Sequence, residues 1–184
     1  MRIAFVHHKG RLARLPSVER GECPTEFFYG AVELERQMRS ISQFEIDVSH
    51  GGGVTQWLDG VMPREWMPVK TGLPLLIATQ PLLSALNSFD CVVATAGNLA
   101  FALAMWAAAG LFRRPLIGIH TGVLDYRHGK WRHWITEKLY SRMHTVLFGD
   151  AELEPMRREF SIAADTVSYT HLKSRRPSFP TEST

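Results

Sequence analysis

The spacing of apolar and polar positions changes several times along the chain, and the clearest changes bound a strand, helix, strand unit at residues 90–122, DCVVATAGNLAFALAMWAAAGLFRRPLIGIHTG. Residues 91–96 are a short apolar run rich in β-branched side chains, which predicts a strand buried on both faces. Gly97 and Asn98 end it. From Leu99, strong helix formers follow with almost no polar face until Gly110, a residue that tolerates a left-handed C-terminal conformation. A helix with no polar face is a buried one. Arg113-Arg114-Pro115 bars further helix, and residues 116–119 predict a second buried strand that opens into His120-Thr121-Gly122. Two buried strands joined through a helix are parallel neighbours, so the loops after the strands gather on the sheet edge where open α/β sheets bind ligands.

The flanking sequence repeats this alternation. Residues 2–7 predict a first strand, followed by a long loop over residues 8–25. Thr25 as N-cap, with Phe27, Ala31, Leu34 and Met38 at helical spacing, predicts a helix to about Arg39. A second strand is expected at residues 44–48. His50-Gly51-Gly52-Gly53 then opens an irregular excursion to Gly72 that carries Trp57, Trp66 and Met67. Residues 75–86 predict a helix that Pro81 kinks or restarts. Residues 130–143 predict an amphipathic helix, 145–148 a strand and 152–160 a further helix. The order predicts a Rossmann-like α/β fold, a doubly wound parallel sheet over residues 1–165. Residues 166–184 do not continue the rhythm: VSYTHL resembles translated read-through of a sequencing-library transposon end, and the Pro, Ser and Arg content beyond it predicts disorder. The natural protein is therefore expected to be cut off near Asp165 or Thr166, with residues 166–184 a disordered, non-native tail; a native disordered terminus is the alternative.

Composition narrows the class. The most apolar segment, residues 99–109, is shorter than the roughly 20 residues that span a bilayer, and residues 1–8 lack a signal-peptide pattern, which predicts a cytoplasmic protein. Of the formal charge of +3, Lys173, Arg175, Arg176 and Glu182 in the tail contribute +2. A nearly neutral domain argues against a general nucleic-acid binder. Cys23 and Cys91 have no metal-ligand spacing and are expected as free or buried thiols.

His120 ends a buried strand at the predicted ligand edge, so its imidazole is expected to point into the crevice, where it can hydrogen-bond a hydroxyl or phosphate or carry a proton. Thr121, Gly122 and Asp125 follow on the same edge and are candidate substrate-binding residues. His8, Lys9 and Gly10 follow the first strand and are candidates for a polar ligand. The loop matches neither glycine-rich phosphate motif, and Glu26 in the next helix's first turn would compete with an anion. Asn98 is either a plain N-cap or a ligand residue. No zinc constellation or nucleophile elbow occurs. The predicted helix at 130–143 interleaves aromatic and basic residues; its apolar stripe faces either the protein's own sheet or an anionic membrane surface.

The segments RIAFVHH, FFYGAVELERQ, the 90–122 unit and VLFGDAELEPMRREF together resemble the N-terminal domain of family 4 glycosyltransferases of the GT-B fold, over nearly the whole chain up to Asp165. The resemblance implies retaining, metal-independent transfer of a sugar from a nucleotide-sugar donor to a glycan or lipid-linked acceptor. In that family the N-terminal domain chiefly holds the acceptor, and a C-terminal domain holds the donor. The family's strand-end histidine falls on His120, where the resemblance implies a hydrogen bond to the donor sugar at the reacting centre. Departures are visible: Thr25 and Glu26 stand where phosphate-facing glycines commonly begin the first helix, and Gly149 stands in place of a common serine. The family's C-terminal domain, with its paired glutamates, does not follow within these residues, so the chain alone is expected to lack transferase activity. A GT-B sugar-nucleotide epimerase fragment and a flavodoxin-like binding module are the alternatives.

Overall fold

The computed structural model describes residues 1–24, 28–38, 40–47, 73–120, 130–147, 150–160 and 167–169. Six strands form one parallel sheet: β1 (Ile3–His8), β2 (Ile41–Ile46), β3 (Cys91–Ala94), β4 (Leu116–His120), β5 (His144–Leu147) and β6 (Val167–Tyr169), in the order β2-β1-β3-β4-β5-β6. Seven α-helices flank it among the described residues: α1 (Leu15–Glu19), α2 (Ala31–Gln37), α3 (Leu73–Thr79), α4 (Leu83–Leu86), α5 (Gly97–Ala108), α6 (Lys130–Tyr140) and α7 (Asp150–Phe160). This is the expected Rossmann-like α/β arrangement.

The period of two along each strand sorts side chains into two core layers. Ile3 and Phe5 of β1, Val93 of β3 and Ile119 of β4 pack with Val18 of α1 and Ala31 and Val32 of α2. Ala4 and Val6, Val92 and Ala94, and Leu116 face the other way and pack with α3 to α7. Six consecutive residues of α5, Leu99 to Ala104, are buried, as a helix without a polar face requires. The Trp106 indole N–H donates to Thr79 Oγ1 at 2.9 Å and pins α5 to α3. Gly118 lets α5 lie close on β4: a Cβ there would stand 2.8 Å from the Ala100 Cβ. The helix ends as predicted, with Gly110 at φ +74°. Leu111 N–H donates to Trp106 O, and Gly110 N–H to Ala107 O, which is the Schellman pattern.

Several boundaries differ from expectation for local reasons. α2 begins at Ala31, because Tyr29 at φ +51° and Gly30 at φ +83° are left-handed and interrupt any helix started earlier; Thr25 and Glu26 lie outside the described residues. β2 runs over Ile41–Ile46, taking its place from the register Ile3↔Ile41 to His8↔Ile46. The expected loop after β1 contains a 3-10 turn (Leu12–Arg14) leading into α1. Pro81 does break its helix, placing a 3-10 turn (Gln80–Leu82) between α3 and α4. α5 starts two residues before the expected Leu99. α6 ends at Tyr140, three residues short of its expected end at Met143, and β5 spans His144–Leu147. In the stretch expected to be disordered, Val167–Tyr169 instead forms β6, pairing with β5 from Thr145↔Val167 to Leu147↔Tyr169. Valine and tyrosine favour a pleated surface, and the outer edge of β5 offers them its ladder. No helix among the described residues is long and apolar enough to cross a membrane.

Candidate functional site at the β1/β3 switch point

Parallel strands β1 and β3 are neighbours, yet β1 leads out to β2 on one side and β3 leads to β4 on the other. Their C-terminal ends therefore lead into loops that run to opposite sides, the switch point where sheets of this kind take ligands. His8 ends β1 on the α5 face, and Gly97 and Asn98 open α5 directly after β3.

A short network closes this edge. Asn98 Oδ1 accepts the Leu99 backbone N–H at 2.9 Å and lies 2.9 Å from His8 Nε2. Because the backbone group can only donate, the amide oxygen is fixed in place and His8 must donate through Nε2–H. Among the described residues neither the two N–H groups of the Asn98 amide nor His8 Nδ1 has a hydrogen-bond partner. Asn98 is thus the second residue of the helix and not its N-cap; that position is Ala96, which supplies no side-chain cap. The N–H groups of Gly97 and Asn98 point out of the positive end of α5.

Lys9 and Gly10 each have a local structural part, and His120 is not oriented as expected. The Lys9 ammonium pairs with Asp47 at the end of β2, which draws it to the β2 side of β1 and neutralises it. Gly10, at φ +88°, is the third residue of a turn closed by Arg11 N–H to His8 O; its positive φ is what the turn requires. Glu45 Oε1 accepts Leu12 N–H at 2.5 Å and occupies the start of the following helical turn with a carboxylate. The His120 ring does not open into the crevice. It is 3% exposed, packed edge-on to Phe101 at 5.5 Å and tilted against Tyr140 at 5.5 Å. The parity of β4 explains this: His120 shares a face with Leu116 and Gly118, and α5 covers that face. A Cβ on Gly97 would stand 2.7 Å from His120 Nδ1, so the ring fills the space that the glycine leaves. His120 Nε2 is buried without a hydrogen-bond partner among the described residues. Burial pushes the ring's pKa down to about 4, so it is neutral. Thr121, Gly122 and Asp125 lie outside the described residues.

The structure also assigns parts to residues that sequence reasoning passed over. His7, on the face opposite His8, is fully buried, stacked on Phe5 and edge-on to Phe28. Its Nδ1 lies 3.1 Å from Thr95 Oγ1, which also donates to Val6 O at 3.0 Å, so Thr95 stitches β1 to the end of β3. Burial is the main reason the His7 pKa falls to about 4, with Gln43 opposing, Arg11 adding and Glu45 opposing. Period-two alternation after Ile3 and Phe5 signals the burial of His7. Nothing in the sequence places Gly97 over His120, because that depends on the register Ala94↔Gly118.

The rim so assembled is polar, with Asn98 and His8 beside the positive end of α5 and the Lys9 ammonium paired with Asp47. Such a surface suits hydroxyl groups, which accept from Asn98 and donate to His8, better than a diphosphate, which needs fixed cations. Among the described residues no cluster of His, Cys, Asp or Glu is placed to hold a metal ion. No protein-family model matches the chain, and no curated protein is detectably similar to it in sequence.

Proposed function

We propose that this chain is the acceptor-side domain of a retaining GT-B glycosyltransferase, and that the β1/β3 crevice holds hydroxyl groups of a glycan or lipid-linked acceptor. The observation that carries this reading is the Asn98 amide, its oxygen fixed between His8 and Leu99 at the mouth of α5 and its two N–H groups without a partner among the described residues. Those N–H groups suit the oxygen of a sugar hydroxyl. In this reading the nucleotide-sugar donor is held by a second domain, which also neutralises the departing diphosphate without a metal, as the resemblance implies. His120, which the resemblance assigns to the donor sugar, acts from beneath Gly97 as a positioning residue that fixes where α5 begins.

A second reading, a flavodoxin-like binding module, is favoured by the order β2-β1-β3-β4-β5 of the first five strands, to which β6 is added at the edge. Calorimetric titration with neutral methyl glycosides, with UDP-glucose and with a simple mononucleotide separates the two. Glycoside binding that weakens about tenfold in Asn98→Ala, the worth of one or two hydrogen bonds, supports the acceptor site. Binding of the mononucleotide in this crevice with no glycoside bound supports the module and overturns the transferase reading.

A further inference from the structure

α6 carries aromatic residues on both sides. Its inner side sets Thr136, Leu139 and Tyr140 into the interior. With about 100° of rotation per residue, Trp131, Trp134 and Lys138 fall together on the opposite stripe. The two indoles are 56% and 48% exposed and stack on each other with centroids 5.1 Å apart. Of the two faces open to this helix's apolar residues, the sheet takes Thr136, Leu139 and Tyr140, and Trp131 and Trp134 are left outside it. Lys130 and Lys138 flank the pair, and Arg142 follows in the next turn, all three exposed. None of the three forms an ion pair among the described residues, and Glu137 is the single carboxylate in the α6 sequence.

We propose that this stripe docks on the headgroup region of an anionic bilayer, with Trp131 and Trp134 entering the interface and Lys130 and Lys138 meeting lipid phosphates. Tryptophan is the side chain that settles at that depth, because its ring is apolar and its N–H stays wet. The surplus of unpaired cations supplies the complementary charge. A second copy of the chain fits less well: an isologous contact over this stripe brings the lysines against their own counterparts. The contact is peripheral. Since β4 leaves the sheet at its C-terminal edge, the first turn of α6 lies on that edge, and docking brings the membrane beside it.

Co-sedimentation of the full chain with vesicles tests this, using phosphatidylcholine alone or with about 30% phosphatidylglycerol. The wild type is expected to sediment with the anionic vesicles and not the neutral ones. Lys130→Gln/Lys138→Gln is expected to lose roughly twenty-five-fold in partitioning, about fivefold per cation, and Trp131→Ser/Trp134→Ser at least as much. Thermal melts should be unchanged, since all four side chains are exposed. Equal partitioning onto neutral vesicles, no sedimentation, or variants that sediment like the wild type would overturn the proposal. So would a concentration-dependent dimer, lost in the tryptophan variant, in a protein that ignores vesicles.

Discussion

Gly97 and His120 share one space, and much of the rim depends on that arrangement. The ring's Nδ1 lies where a Gly97 Cβ would need to be, and its Nε2 stands 3.2 Å from where a Gly118 Cβ would sit. Gly97→Ala therefore forces either the ring or the first turn of α5 to move, and urea denaturation is expected to show a loss of about 1–3 kcal/mol. In a His120→Ala background the same change should cost far less, a coupling of about 1 kcal/mol or more. Additive costs would show that the two residues do not compete. The parity that turns His120 toward α5 was legible in the sequence, since Leu116, Gly118 and His120 alternate with Ile117 and Ile119. What hid its burial was the helix start: with α5 expected from Leu99, no backbone lay over residue 120. Asn98 was legible as a polar residue at the mouth of a helix, but its bond to His8, 90 residues away, needed the sheet.

At the scale of elements, composition decided most of what was read correctly. The unbroken apolar run from Leu99 to Ala104 could only be a buried helix, Gly110 could only end it, and Pro81 had to break the segment before β3. Failures arose where two readings were locally equal. Phe27, Ala31, Leu34 and Met38 have helical spacing, yet Tyr29 adopts a positive φ that no periodicity reveals. Trp131 and Trp134 match a helical stripe with Ile135 as well as they match one with Lys138, and only the packing of Leu139 and Tyr140 separates the two. Val167–Tyr169 has strand-forming residues, but a strand of that length depends on an edge to join.

For the whole molecule, two neutral imidazoles sit on opposite faces of the sheet, and both protonate only near pH 4. Between the ordinary value of 6.5 and about 4, the unfolded chain binds protons that the native chain refuses, so stability falls as pH falls through this window and is unaffected above it. Each ring withdraws up to about 3 kcal/mol by the lower end. Thermal melts across the window should show a steep decline that His120→Leu makes shallower; a flat melting temperature would contradict the burial of both rings. The parallel order was legible from alternating strands and helices. The switch point was not, because it depends on β1 lying between β2 and β3, which no local pattern records. Heteronuclear NMR of the Asn98 side-chain amide and the His8 ring during titration with methyl glycosides tests the central claim most directly. The account predicts that these two groups shift together and saturate together while His133 and His144 stay still. Saturable glycoside binding that leaves Asn98 and His8 unmoved would place the ligand elsewhere.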